Sequence, residues 1–169
     1  MSTLLLTGTS EARTAQEIDA SANAALDRFY KQVGGSRDLL QRAKGVLVLP
    51  GVIKAGIGVG GEYGEGALRV NGRTVAYYSI AAASIGLQLG AQKKDIIIVF
   101  LEESALNKFQ VSQGWQVGVD GSVVLIDVGA NASIDTSKIN QPIVGFVVGQ
   151  KGLMYNLTLE GSKISKLKK

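Results

Sequence analysis

A chain of 169 residues, 46% hydrophobic and 19% charged, suits one folded domain with its own core and excludes a disordered polymer. It holds no His and no Cys, which removes imidazole bases, thiol nucleophiles, haem ligation through His and the usual zinc sites. Its net charge of +4 hides a segregation: residues 28–54 carry six bases against Asp38, and 151–169 carry five Lys against Glu160, while the rest is mildly acidic.

Residues 1–9 read as a flexible lead without the basic start of a signal peptide, and 10–169 as one domain. Ala15, Ile18, Ala22, Leu26, Phe29 and Val33 recur at steps of three and four, the apolar stripe of a helix that Gly34-Gly35 ends. Ser36 is placed to N-cap a second helix, RDLLQRAK, closed by Gly45. No apolar run reaches the roughly 18 residues that span a bilayer.

From Gly45 the period changes to two. GVLVL is a strand, followed by Pro50-Gly51 and GIGVGG (Gly56 to Gly61). The last spells a dinucleotide fingerprint, but that motif must open a helix and precede an acid by about 20 residues. EYGEGALRVNGR follows instead, so the glycines read as one face of a strand. Residues 66–70 pair through Asn71-Gly72 with RTVAYYSI. SIGLQLGAQ alternates, DIIIVFL reads as a central strand buried on both faces, and EESALNKF as a short helix near 102–109. QGWQVGVDG, SVVLIDVGA, PIVGFVVG and LMYNLTLEG supply four more strands. The expected fold is α+β: two N-terminal helices packed on an antiparallel barrel or sandwich of eight to ten strands.

Catalytic readings are weak. Ser84 resembles a nucleophile elbow, yet it lies mid-strand and no His exists to take its proton. Asp120, Asp127 and Asp135 are too dispersed for a calcium loop, and Asp120-Gly121 is more simply a turn. Glu62 and Glu65 are near enough to share a cation, although a solvated hairpin rim is the commoner outcome. Asn131 and Asn156 head formal glycosylation triplets. Nucleic acid would require aromatics interleaved with bases, whereas Tyr77-Tyr78 have only Arg73 nearby and Trp115 has none. These residues point to no enzyme, no cofactor, no metal and no nucleic acid.

The stretch RAKGVLVLPGVIKAGIGVGGEYGEGAL, continued in SIAAASIGLQLGAQ and DIIIVFL and more weakly in QVGVDGSVVL and KGLMYNLTLEG, resembles the signature of the SYLF domain family over about positions 36–161. The resemblance implies a binding domain: eukaryotic members bind phosphoinositide membranes and some bind actin, while bacterial members are envelope proteins, often lipid-anchored. It implies a non-enzymatic partner for anionic phospholipid head groups at the periplasm or outer membrane, with any anchoring Cys lying before residue 1. The alternatives are a protein-binding or envelope-structural module, or a cytoplasmic one. Actin binding is disfavoured by the absence of a long basic run. Lys44 and Lys54 are the bases on the matched motif, and Arg28, Lys31, Arg37 and Arg42 lie on the preceding helices, where the family's membrane helix falls. These six are the expected lipid-facing set. Helix-dipole complementarity accounts for Arg28 and Lys31, but Arg37 near a helix start is mildly unfavourable and calls for a ligand or partner. Lys163, Lys166, Lys168 and Lys169 would add to the surface charge.

Overall fold

The computed structural model describes residues 13–54, 61–83, 93–126, 133–149, 152–154 and 158–169. Helix α1 spans Ala15–Gln32. Thr14 caps it, and Glu17 returns the bond to the Thr14 backbone N–H, a capping box. Its buried stripe is Ile18, Ala22, Ala25 and Phe29; the alanines let the helix approach the sheet closely. Helix α2, Ser36–Arg42, is capped by Gly35 rather than by Ser36. Ser36 is instead the first helical residue, and its hydroxyl donates to the Val33 carbonyl at 2.6 Å, closing the end of α1. Nor does Gly45 terminate α2, which ends at Arg42; Gly45 opens the first strand beneath the Leu106 side chain.

The strands are β1 (Gly45–Lys54), β2 (Gly61–Val70), β3 (Arg73–Ala83), β4 (Lys94–Phe100), β5 (Gly114–Gln116), β6 (Val124–Leu125), β7 (Ile143–Gly149), β8 (Gly152–Met154) and β9 (Lys163–Leu167), with helix α3 (Glu103–Val111) between β4 and β5. They form one nine-stranded sheet in the order β5-β9-β3-β2-β1-β4-β7-β6, with β8 on β7. Of the two expected forms, barrel or sandwich, the described strands make neither two sheets nor a closed barrel but a single curled sheet, a half-barrel covered on both sides. Pairing is antiparallel except where β6 runs parallel to β7. Asn71 and Gly72 turn the β2–β3 hairpin with φ of 54° and 79°, as their sequence requires.

Alternation along β1 explains the two coverings. Val46 and Val48 join Ile97, Val99 and Phe146 against α1 and α2. Leu47 and Leu49 join Ile96, Ile98 and Phe100 on the opposite face. A strand buried on both sides has no polar face to alternate, hence the unbroken apolar run in β4. The few aromatics are pooled. On the second face Phe109 of α3 meets Tyr78 at 4.7 Å, Phe100 at 4.9 Å and Trp115 edge-on at 5.4 Å; on the first, Phe29 meets Phe146 at 4.9 Å.

Two glycines decide the shape of β1 and β2. A Cβ on Gly66 would lie 1.9 Å from the Val48 carbonyl oxygen, so only glycine permits β2 to lean this closely on β1. Gly51 has φ of 63°, and the pairing of β1 with β4 shifts between Leu49 and Val52, a bulge at Pro50-Gly51. Of the fingerprint stretch, Gly56 to Gly60 lie outside the described residues, but Gly61 opens a strand and not a phosphate-binding helix. Ser84, Asp127, Asn131, Asn156 and the alternating stretch 84–90 also lie outside them. Asp120 does make a turn, accepting from the Gln116 N–H.

Candidate functional site

Beside its buried stripe, α1 presents a second one, Ser21, Ala24, Arg28 and Gln32, at steps of three and four. This stripe forms one wall of a cavity of about 1130 Å³. The floor is the α1 face of the sheet where β1, β2 and β4 run past the helix: Gly51, Ile53, Tyr63, Glu65 and Asp95. Arg13, Lys93 and Lys94 complete the charged lining. The volume matches small-ligand cavities, and the lining mixes four cations with two carboxylates.

Asp95 fastens the site together. Its side chain is 9% exposed and accepts from Arg28 Nε at 3.0 Å, Arg28 Nη2 at 3.1 Å and the Gly51 N–H at 3.0 Å. The bulge supplies that last donor, because a regular β1 would not shift its register at Gly51. One carboxylate therefore ties helix, bulge and strand.

Glu65, 6% exposed, is the second floor carboxylate. Its Oε2 accepts from the Tyr63 hydroxyl at 2.8 Å, and the Lys169 ammonium stands 3.7 Å from Oε1. Lys94 pairs with Glu62 at 2.5 Å. The two glutamates thus share no cation, and Glu65 is not on a solvated rim. Ile53 and Tyr63, cross-strand partners, are 44% and 37% exposed beside these charges.

The structure distributes the six bases singled out from sequence. Arg28 is in the cavity wall. Lys31 is exposed one turn further along α1. Arg37 stacks over the Tyr30 ring at 4.2 Å, so its awkward position at a helix start has a partner inside the chain. Arg42 donates to the Thr136 carbonyl. Lys44 is exposed, its N–H bound to the Phe100 carbonyl, just before β1. Lys54 is the last position of β1, a strand length or roughly 30 Å from Lys44.

Sequence reasoning missed Arg13, Lys93, Lys94 and Asp95 as a group with Arg28. The one local signal was the Lys93-Lys94-Asp95 run ahead of an apolar strand. It also missed β9. Lys166 there donates to the Gln110 carbonyl and lies 6.0 Å over Tyr78, while Lys169 donates to the Arg13 carbonyl. Two of the C-terminal lysines are thereby engaged in the fold.

Among the described residues no three metal-ligating side chains converge, and no helix is long and apolar enough to cross a membrane. Residues 81–169 match the family model described as "Ysc84: Las17-binding protein actin regulator". The chain is also 27% identical over 155 residues, 90% of its length, to Beta cell expansion factor A of Aeromonas veronii, of which it spans 56%.

Proposed function

The chain belongs to the Ysc84, or SYLF, family of lipid- or actin-binding domains, and from that premise we propose that it docks on anionic phospholipid membranes through the mouth of the α1–sheet cavity. The observation that carries this reading is the adjacency of exposed Ile53 and Tyr63 to Arg13, Arg28, Lys93 and Lys94. Cations near an anionic bilayer contribute about 1 kcal/mol each; with Arg28 held by Asp95 and Lys94 by Glu62, Arg13 and Lys93 supply about 2 kcal/mol. Embedding two half-exposed apolar side chains adds roughly 1 kcal/mol apiece and brings the contact to the millimolar range. Lys31 and Arg37, both exposed, extend the surface. Arg42 and Lys44, a strand length away, make a second and weaker contact. A site of action at the bacterial envelope is part of this proposal, and cell fractionation would test it.

The test is flotation on phosphatidylglycerol vesicles across a salt series. Wild type should bind at low salt and release as salt rises. The variant Lys31→Gln/Lys54→Gln/Lys93→Gln should bind several-fold less, whereas Arg42→Gln/Lys44→Gln should lose little. Binding indifferent to salt and to the first variant refutes the reading. No binding by any form favours a protein partner instead, in line with the family's description as Las17-binding.

A further inference from the structure

We infer that the cavity selects a head group carrying a primary ammonium, the aminoethyl phosphate of phosphatidylethanolamine, with Glu65 as the ammonium's acceptor. This rests on the membrane reading above and names the ligand for its site. Asp95 has three donors and needs no more. Glu65 does not: its Oε1 is buried and, among the described residues, meets no hydrogen-bond donor. The Lys169 ammonium, 3.7 Å away, is beyond hydrogen-bond reach and donates to the Arg13 carbonyl at 2.7 Å.

A buried carboxylate oxygen without a donor costs stability until one arrives. A phosphate cannot supply it, since phosphate oxygens at neutral pH accept. An ammonium, with three N–H donors and a full charge, can. The phosphate two carbons away then falls to Arg13 and Lys93 of the same cavity. A choline head group has no N–H and fails the first requirement. A phosphorylated inositol offers hydroxyl donors but brings further negative charge towards Glu65.

Calorimetric titration with O-phosphoethanolamine and with phosphocholine tests the inference on the free site. Flotation on phosphatidylglycerol vesicles mixed with either phosphatidylethanolamine or phosphatidylcholine tests it on a bilayer. Wild type should prefer the ethanolamine probe by about tenfold, the ratio that one charge-assisted hydrogen bond carries. Glu65→Gln, which keeps the shape and removes the charge, should bring the probes to parity. A thermal melt establishes that this variant folds, and Glu65→Asp, which keeps the charge and draws it back by one methylene, should reduce the same preference if it does not. Parity of the probes in wild type overturns the inference. So does an ethanolamine preference that Glu65→Gln retains, which would be a bilayer-packing effect. Vesicle binding with probe parity leaves the membrane reading standing alone; probe preference without vesicle binding does the reverse.

Discussion

Replacing half-exposed Arg28 by Met should destabilise the fold more than its exposure suggests, because of what it leaves behind. The Asp95 carboxylate, 9% exposed, would keep one of its three donors, the Gly51 N–H. Two charge-assisted bonds at about 1.5–3 kcal/mol each give a gross loss of roughly 3–6 kcal/mol. Arg28 is itself 50% exposed, and the cavity admits water to Asp95, so about half of that is recovered. The expected net cost is about 1.5–3 kcal/mol, or roughly 3–12 °C in Tm for a chain of this length. Asp95→Asn introduced on top of Arg28→Met removes the stranded charge. The double variant should therefore be less destabilised than the sum of the two singles by 1 kcal/mol or more, a coupling in the range seen for contacting charges. Urea unfolding with a common m value measures all three. A cost below about 0.5 kcal/mol for Arg28→Met, the value of a surface substitution, would refute the reasoning. Strict additivity would do so as well.

Gly66→Ala should cost about 3 kcal/mol or more, since its Cβ meets the Val48 carbonyl oxygen and the Leu49 Cα, backbone that cannot turn aside. Gly72→Ala, with open space but φ of 79°, should cost only about 1 kcal/mol, and equal losses would refute the close approach. Tyr78 is buried, its hydroxyl has no hydrogen-bond partner among the described residues, and burial pushes its phenol up to about 12. Between pH 10 and that value the unfolded chain releases this proton and the folded one keeps it, so wild-type stability should fall by about 1.4 kcal/mol per pH unit beyond any loss in Tyr78→Phe; parallel stability–pH curves would count against it. Asp19 accepts from Thr74 and Tyr77 at 2.9 Å each, so Asp19→Ala should cost about 1–2 kcal/mol and lower the pH at which the Tyr77 phenol ionises in an ultraviolet titration. Desolvation first, then the Asp19 bond, hold that phenol above its ordinary range.

Elements whose signal is local were legible. The stripe from Ile18 to Phe29, the Asn71-Gly72 hairpin, the doubly buried DIIIVFL strand and the short helix after it all follow from periodicity and turn chemistry. Ser36 misled because a serine between two helices can serve either end, and here its hydroxyl turns back to Val33. The KISKL strand was hidden by its charges: lysine stems lie along the sheet while the ammonium of Lys166 reaches the Gln110 carbonyl. Count and mostly antiparallel sense of the strands followed from sequence, but periodicity left barrel and sandwich open, since a curled single sheet and a sandwich both place apolar residues on two faces. The cavity was illegible for a different reason. Arg28 and Asp95 stand 67 positions apart, and no periodicity links an arginine on a helix to the bulge donor and carboxylate that complete its site.

The place of β9 between β3 and β5 fixes an order of events during synthesis. Among the described strands β5 pairs with β9 alone, yet it leaves the ribosome more than forty residues earlier. At about 5–20 residues per second it waits several seconds for its neighbour. In that interval β3 and β5 both offer open edges, the geometry that recruits strands from other chains. Trp115 of β5, whose cross-strand partner is Ile164 of β9, waits with them. A nascent chain stalled before β9 thus carries an added hazard of edge-to-edge association at β3, which the arrival of five residues covers.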